Sequence, residues 1–272
     1  MRLSASSIKD SKECNLKGFW KYIEKKEVKE ENHYGVFGRI LHFIISETIK
    51  HKLYNSWDIV DTMYTQAYHN DMLTNPKLEP PKHQGFYWQG KSILKKWRND
   101  FLDRGWDNSE TLMLETYFRI PLKNDLQFSG YIDFIMKFED KLYLIDWKSN
   151  KEVIPEEELE DNIQLSMYYW ASNELGHKVD KIGLYFLRHS EYKTTTRTDD
   201  STLELFKDAI IIERAFNQED LIADYSTYNC KWCGFKNECD AWKNKTPMKF
   251  NKLNQNFLDS DTLSVESTLN VM

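Results

Sequence analysis

The sequence has no apolar run near the roughly 20 residues that a membrane-spanning helix needs. Its first residues, Met1-Arg2-Leu3-Ser4-Ala5-Ser6-Ser7, lack the apolar stretch of a secretory leader. These absences exclude a membrane partner and point to a cytoplasmic, reducing location. Cysteine is sparse, 4 in 272 residues, and in such a compartment it is not expected to form disulfides. An excess of positive charge is also missing. The net charge is −6, which argues against a general nucleic-acid coat protein while leaving room for a local basic surface. No Gly-x-x-x-x-Gly-Lys-Ser/Thr loop is present, so ATP is not expected as a cofactor. There is no internal repeat.

Aromatic residues are plentiful, 14% of a chain whose apolar share is 40%. That is enough for a sizeable core, where most of the rings belong. The pattern predicts helices over 4–30, with Ser6 or Ser7 as cap, and over 35–50, 57–72 and 87–104. A loop with Pro76, Pro80 and Pro81 separates the last two. Strands are expected over 111–120, 127–138 and 141–148, the last two joined by a turn at Glu139-Asp140. A helix over 158–174, a strand over 181–188 and a helix over 201–223 follow. Residues 245–272 read as a polar, mobile tail. The order predicts an α/β core with a mixed sheet and a helical insertion.

Asp146-Trp147-Lys148 ends the apolar run Leu142-Tyr143-Leu144-Ile145. Strand alternation sends Asp146 and Lys148 to one face and Trp147 to the other. With Asp133 on the preceding strand, this set can hold a hard divalent cation such as Mg²⁺ or Mn²⁺ and place a water against a phosphodiester. The bland alternative is a structural Asp–Lys ion pair. His42, in Gly38-Arg39-Ile40-Leu41-His42, lies on an apolar helical face, where a lone histidine is more often a satisfied core residue than a ligand. Gln164 and Tyr168, four residues apart, share one helical face. Glu115 is open to three readings: ligand, neighbour of the site, or solvent-facing residue. Glu47 lies on a different face from His42.

Cys230, Cys233 and Cys239 crowd three thiols into ten residues, and the fourth, Cys14, is distant. A four-thiolate site needs all of them and suits Zn²⁺ or a [4Fe–4S] cluster. The alternative for Cys14 is a buried free thiol. Residues 227–253 carry Lys231, Lys236, Lys243, Lys245, Lys249 and Lys252, interleaved with Trp232, Phe235 and Trp242. Such a stretch suits single-stranded nucleic acid or is simply a solvated end.

Taken in order, these pieces resemble the PD-(D/E)XK nuclease superfamily. The resemblance is greatest to its RecB-like branch and to the four-cysteine exonucleases of CRISPR systems and phages. It rests on Gly38 to His42, Gly130-Tyr131-Ile132-Asp133, Ile145-Asp146-Trp147-Lys148, Gln164 to Tyr168, and Cys14 with Cys230, Cys233 and Cys239, and it spans residues 4–240. Two departures are Asn15, where the family often has Pro, and Trp147, where it often has Tyr. The resemblance implies a restriction-endonuclease-like α/β core, one nuclease domain over 1–244, with a helical insertion at about 55–105 that matches no motif. It implies His42, Asp133, Asp146 and the Trp147 carbonyl as metal ligands. Lys148 is then the catalytic lysine, with Gln164 and Tyr168 assisting. The cysteines would hold an iron–sulfur cluster joining the N- and C-terminal segments. The implied function is a Mg²⁺- or Mn²⁺-dependent DNA exonuclease acting on single-stranded ends, in recombination, repair or phage and mobile-element DNA processing, with recombination or replication proteins as partners. The competing expectations are a nucleic-acid-binding or adaptor protein of the same fold, and a zinc-stapled protein.

Overall fold

The computed structural model describes residues 1–27, 33–76, 78, 85–122, 125–218 and 220–250. The elements run β1 (Arg2–Leu3), α1 (Ala5–Glu13), α2 (Asn15–Gly18) with a π-helical turn at Phe19–Ile23, α3 (His33–Lys50), α4 (Trp57–Tyr68) with a second π-helical turn at His69–Leu73, and α5 (Gly85–Asp103). Then come β2 (Glu110–Pro121), β3 (Gln127–Phe138), β4 (Lys141–Lys148), α6 (Glu157–Glu160), α7 (Ile163–Glu174), β5 (Lys181–Phe186), β6 (Glu191–Thr195), α8 (Leu203–Asn217), β7 (Leu221–Ala223), α9 (Asp240–Asn244) and β8 (Met248–Phe250). Among the described residues no helix is long and apolar enough to cross a membrane.

The chain forms two compact units. One comprises residues 1–9 and 27–210, the other 10–26 and 211–272. The first unit is built on a mixed six-stranded sheet. β2 runs antiparallel to β3 along its whole length, and β3 turns back into β4. That hairpin needs left-handed backbone at both turn residues. Glu139 and Asp140 supply it with φ of 48° and 62°, the geometry of a two-residue primed turn. β4 and β5 are parallel, so the chain must cross over between them, through α6 and α7. β6 is antiparallel to β5, and β1 lies parallel to β3.

One face of the sheet presents Phe134, Ile145, Trp147 and Tyr185 to Ile40 and Ile44 of α3, Tyr64 of α4, and Trp97 and Phe101 of α5. The helical region around 55–105, which matches no motif, thus walls the sheet face behind β4. Trp147 is 2% exposed. Its ring stacks on Phe134 at 6.0 Å and meets the edges of Trp97 at 6.1 Å and Tyr185 at 5.3 Å. Burying that ring on one face obliges Asp146 and Lys148 to point to the other.

In the second unit β7 and β8 pair antiparallel. Trp20, in the π-helical turn, meets Phe235 and Phe250 edge-on at 5.7 Å each. Asp10 holds Lys17 at 2.6 Å and Lys21 at 2.8 Å, and accepts a hydrogen bond from the Tyr22 hydroxyl at 2.7 Å.

Several sequence expectations need correction. The first helical span breaks at Cys14, which stands in extended backbone before α2. Its cap is Ser4, whose hydroxyl accepts from the Ser7 N–H while its own N–H donates to the Ser7 hydroxyl. The helix expected over 158–174 is split, because Asn162 restarts it by accepting from the Leu165 N–H at 3.1 Å. The helix over 201–223 stops at Asn217, and its last expected residues form β7. β8 lies inside the supposed tail, whose residues 251–272 fall outside the described region. β1 and β6 were not foreseen. The lysine-rich end is less exposed in its aromatics than expected. Trp232 is open to solvent and Trp242 half-buried, but Phe235 is 3% exposed and belongs to the core. Lys252 lies outside the described residues.

Candidate metal centre and cysteine pocket

In the first unit β4 continues past its last pairing with β3, at Phe134↔Ile145. The strands part there, and Asp133 fills the space. Its Oδ2 accepts the Trp147 N–H at 2.8 Å. α3 brings His42 to the same place. The imidazole Nε2 lies 2.9 Å from the Trp147 carbonyl oxygen. Its Nδ1 is 3.4 Å from Asp133 Oδ2 and 3.5 Å from Glu115 Oε1. The ligand atoms of His42, Glu115 and Asp133 all lie within 4.8 Å of one another, the one such group of His, Cys, Asp or Glu among the described residues.

Asp146 and Lys148 share the neighbouring face, as strand alternation requires. Lys148 Nζ is 2.6 Å from Asp146 Oδ2. It also donates to Gln164 Oε1 at 2.6 Å. The Gln164 amide in turn donates to Asp146 Oδ1 and to the Tyr168 hydroxyl, each at 2.8 Å. α7 therefore locks the lysine and the carboxylate into one network. Glu47 points elsewhere, toward Lys50 and His51.

The donor set fits a hard divalent cation. Glu115 Oε1 is buried without a hydrogen-bond partner, and Asp146 Oδ2 has the Lys148 ammonium nearby but no aligned hydrogen bond. Buried carboxylate oxygens left so are costly unless a cation completes them. Burial, and then the Asp146 charge, push the Asp133 carboxyl well above the usual carboxylate range, against the pull of His42. Burial opposes charge on His42, but Asp133, Glu115 and Asp146 outweigh it and raise its pKa. Tyr168 is pushed up by burial and then by Asp146.

The structure thus gathers His42, Asp133 and the Trp147 carbonyl, with Asp146, Lys148, Gln164 and Tyr168 beside them. It also brings in Glu115, which the sequence left open. The signal for Glu115 was weak, a lone acid in a strand. Its backbone φ of 44° is left-handed, a conformation rarely tolerated outside functional sites and turns.

In the second unit all four cysteines line one pocket, together with Leu16, Lys17, Trp20, Asp224 and Trp242. Burial raises the thiol pKa values of Cys14 and Cys233. The Cys230 sulfur accepts the Ser226 N–H at 3.4 Å. The sulfurs do not form a group as tight as that of His42, Glu115 and Asp133.

Comparison with known proteins adds three findings. The model of the PD-(D/E)XK nuclease superfamily matches residues 2–240. Among solved structures, that of SSO0001 is similar at 14% identity over 87% of this chain and 95% of that one, with a TM-score of 0.34. No curated protein matches the chain.

Proposed function

The chain belongs to the PD-(D/E)XK nuclease superfamily, and from that premise we propose that it is a Mg²⁺- or Mn²⁺-dependent deoxyribonuclease that shortens DNA from single-stranded ends. One observation carries the reading. A His–Glu–Asp donor set, Asp133 buried and His42 and Glu115 half-buried, sits beside the end of a strand whose Asp146 and Lys148 form a polar network with Gln164. His42, Glu115, Asp133, Asp146 and the Trp147 carbonyl would hold the cation. Bound there, it acidifies a coordinated water and offsets charge growing on the phosphate. The protein's own part is positional. Gln164 keeps Asp146 and Lys148 from rotating away. Lys148 remains partly open to solvent, so its ammonium can meet an incoming phosphate oxygen or orient the attacking water. Lys148 is the catalytic lysine of this reading, and Gln164 and Tyr168 are positioning residues.

The four cysteines complete the proposal as ligands of a [4Fe–4S] cluster that staples the two sequence segments of the second unit. All four cysteines line one pocket, and the Ser226 N–H on the Cys230 sulfur is the kind of contact that tunes an iron–sulfur cluster. Recombination, repair or mobile-element DNA processing is the matching role.

The test is digestion of end-labelled linear and circular DNA, single- and double-stranded, with Mg²⁺, Mn²⁺ or chelator. Cutting of linear single strands that stops with chelator, and with Lys148→Ala, is expected. Cutting of closed circles would overturn the end-dependent reading. A Lys148→Ala protein as active as wild type would overturn the site. Anaerobically purified protein should contain iron and sulfide, and zinc in their place would remove the cluster.

A further inference from the structure

Among the described residues β2 is paired on one side only, with β3. Beyond Glu115 it carries Tyr117 and then Arg119 at alternate positions. Tyr117 stands directly across from Tyr131 of β3. The two rings touch, with centroids 5.1 Å apart and planes tilted by 52°. Both remain open to solvent, 46% and 56% exposed. The next cross-strand pair, Phe118 and Gly130, turns the opposite way. A Cβ on Gly130 would meet Phe118 and Tyr168, and the Phe118 ring meets Tyr168 edge-on. The tyrosine pair therefore lies on the face away from Tyr168.

Each tyrosine stands two residues along its strand from a member of the metal group, Tyr117 from Glu115 and Tyr131 from Asp133. From Tyr117 on, two residues of strand span about 6.6 Å. Arg119 lies the same step further on. It donates to Gln127, and among the described residues no carboxylate pairs with it. Along one strand the order is thus carboxylate donor, exposed aromatic pair, unneutralised guanidinium.

We propose that Tyr117 and Tyr131 form a stacking platform for a nucleobase of a single DNA strand, with Arg119 contacting the phosphate next to it. The proposal rests on the nuclease reading and names its substrate contact. The aromatic faces take any base, since every base has a π-face, and the guanidinium takes the backbone charge. A cross-strand tyrosine pair can also stabilise a sheet on its own, and the test must separate the two roles.

The test measures binding of a fluorescent oligothymidylate in chelator, where nothing is cut, for wild type, Tyr117→Ala/Tyr131→Ala, Tyr117→Phe/Tyr131→Phe and Arg119→Ala. An oligonucleotide of equal length with an abasic run serves as the second probe. Loss of one stacked base should weaken binding about 5- to 150-fold in the alanine pair. The phenylalanine pair should bind like wild type. Wild type should prefer the intact oligonucleotide to the abasic one, and the alanine pair should not discriminate. Arg119→Ala should weaken both probes alike and reduce the salt dependence. Equal binding by wild type and the alanine pair, or no preference of wild type for bases, overturns the platform. So does an alanine pair that changes only thermal stability or self-association. Cleavage measured in parallel separates the two ideas. Wild type that binds with base preference but never cuts refutes the nuclease and leaves the platform standing. Wild type that cuts, with an alanine pair that binds equally, refutes the platform alone.

Discussion

Trp147 links the core to the candidate metal centre, and its replacement separates the two. The ring is 2% exposed and makes three aromatic contacts, with Phe134, Trp97 and Tyr185. Truncating a tryptophan so enclosed removes its transfer energy and leaves a cavity, a loss of about 3–5 kcal/mol. Trp147→Phe keeps an aromatic ring among aromatic neighbours and should lose about 1–2 kcal/mol. In a domain of this size each kcal/mol shifts the melting temperature by about 2–4 °C. Trp147→Ala should therefore melt about 6–20 °C below wild type. The contributions of residue 147 to the site are its backbone N–H, held by Asp133, and its carbonyl, facing His42. The phenylalanine variant should keep them and keep the rise in melting temperature that Mn²⁺ gives. Circular dichroism melts with Mn²⁺ and with chelator measure both effects. A loss below about 1 kcal/mol for Trp147→Ala would refute the packing argument. A phenylalanine variant that folds but no longer responds to Mn²⁺ would refute the backbone argument.

Mn²⁺ at about 100 times its dissociation constant should stabilise wild type by about 2.7 kcal/mol, and Asp133→Ala should abolish that rise; an equal rise in the variant would move the metal elsewhere. Cys14→Ser should lose iron and visible absorbance together, and retention of both would leave Cys14 a free thiol. Burial disfavours the charged Asp10 carboxylate, but hydrogen bonds from Lys17, Lys21 and Tyr22 outweigh it and hold its pKa below the usual value. A lowered folded pKa stabilises above the unfolded value of about 3.9 and is lost as pH falls through the folded one. Asp10→Asn should therefore melt below wild type at pH 7 and converge with it as pH falls below the ordinary carboxylate range, as differential scanning calorimetry would record. A Cβ at Gly183 would stand 2.1 Å from the Lys193 carbonyl oxygen, so Gly183→Ala should cost about 1–3 kcal/mol in denaturant melts by forcing β5 from β6.

The strands that carry the site were legible because their signals are local. β4 needs only an apolar run, and alternation then assigns Asp146, Trp147 and Lys148 to their faces without any knowledge of the partner strands. The Glu139-Asp140 turn announces itself as a two-residue polar break between apolar runs, with Asp140 of a type that tolerates left-handed backbone. The short pieces were illegible because their stabilisation is not local. β7 and β8 are three residues each, too short for alternation to register, and they exist because they pair with each other across some 25 residues. The break at Cys14 follows from the pocket that Cys14 lines, and no helix-breaking residue marks it.

Glu115 is the instructive case for function. Sequence spacing could place Asp133 and Asp146 together because both belong to one hairpin whose register follows from its turn. Glu115 lies on the other neighbour of β3, across a connection of several residues, and the β2–β3 register shifts between Thr111 and Met113. An acid in that strand points to the site or away from it according to the shift and to its own left-handed backbone. Neither leaves a mark in residue type, since glutamate has no preference for positive φ. Left-handed backbone in a β-strand at a non-glycine residue costs about 1–3 kcal/mol. That cost, taken together with a buried carboxylate oxygen that has His42 at 3.5 Å but no hydrogen bond, motivates a test of whether Glu115 is held for its chemistry. Glu115→Gly should then raise the melting temperature in chelator, by relieving the backbone and removing a buried carboxylate, while reducing the Mn²⁺-induced rise. A variant that is destabilised in chelator and keeps its full response to Mn²⁺ would show instead that Glu115 serves the fold.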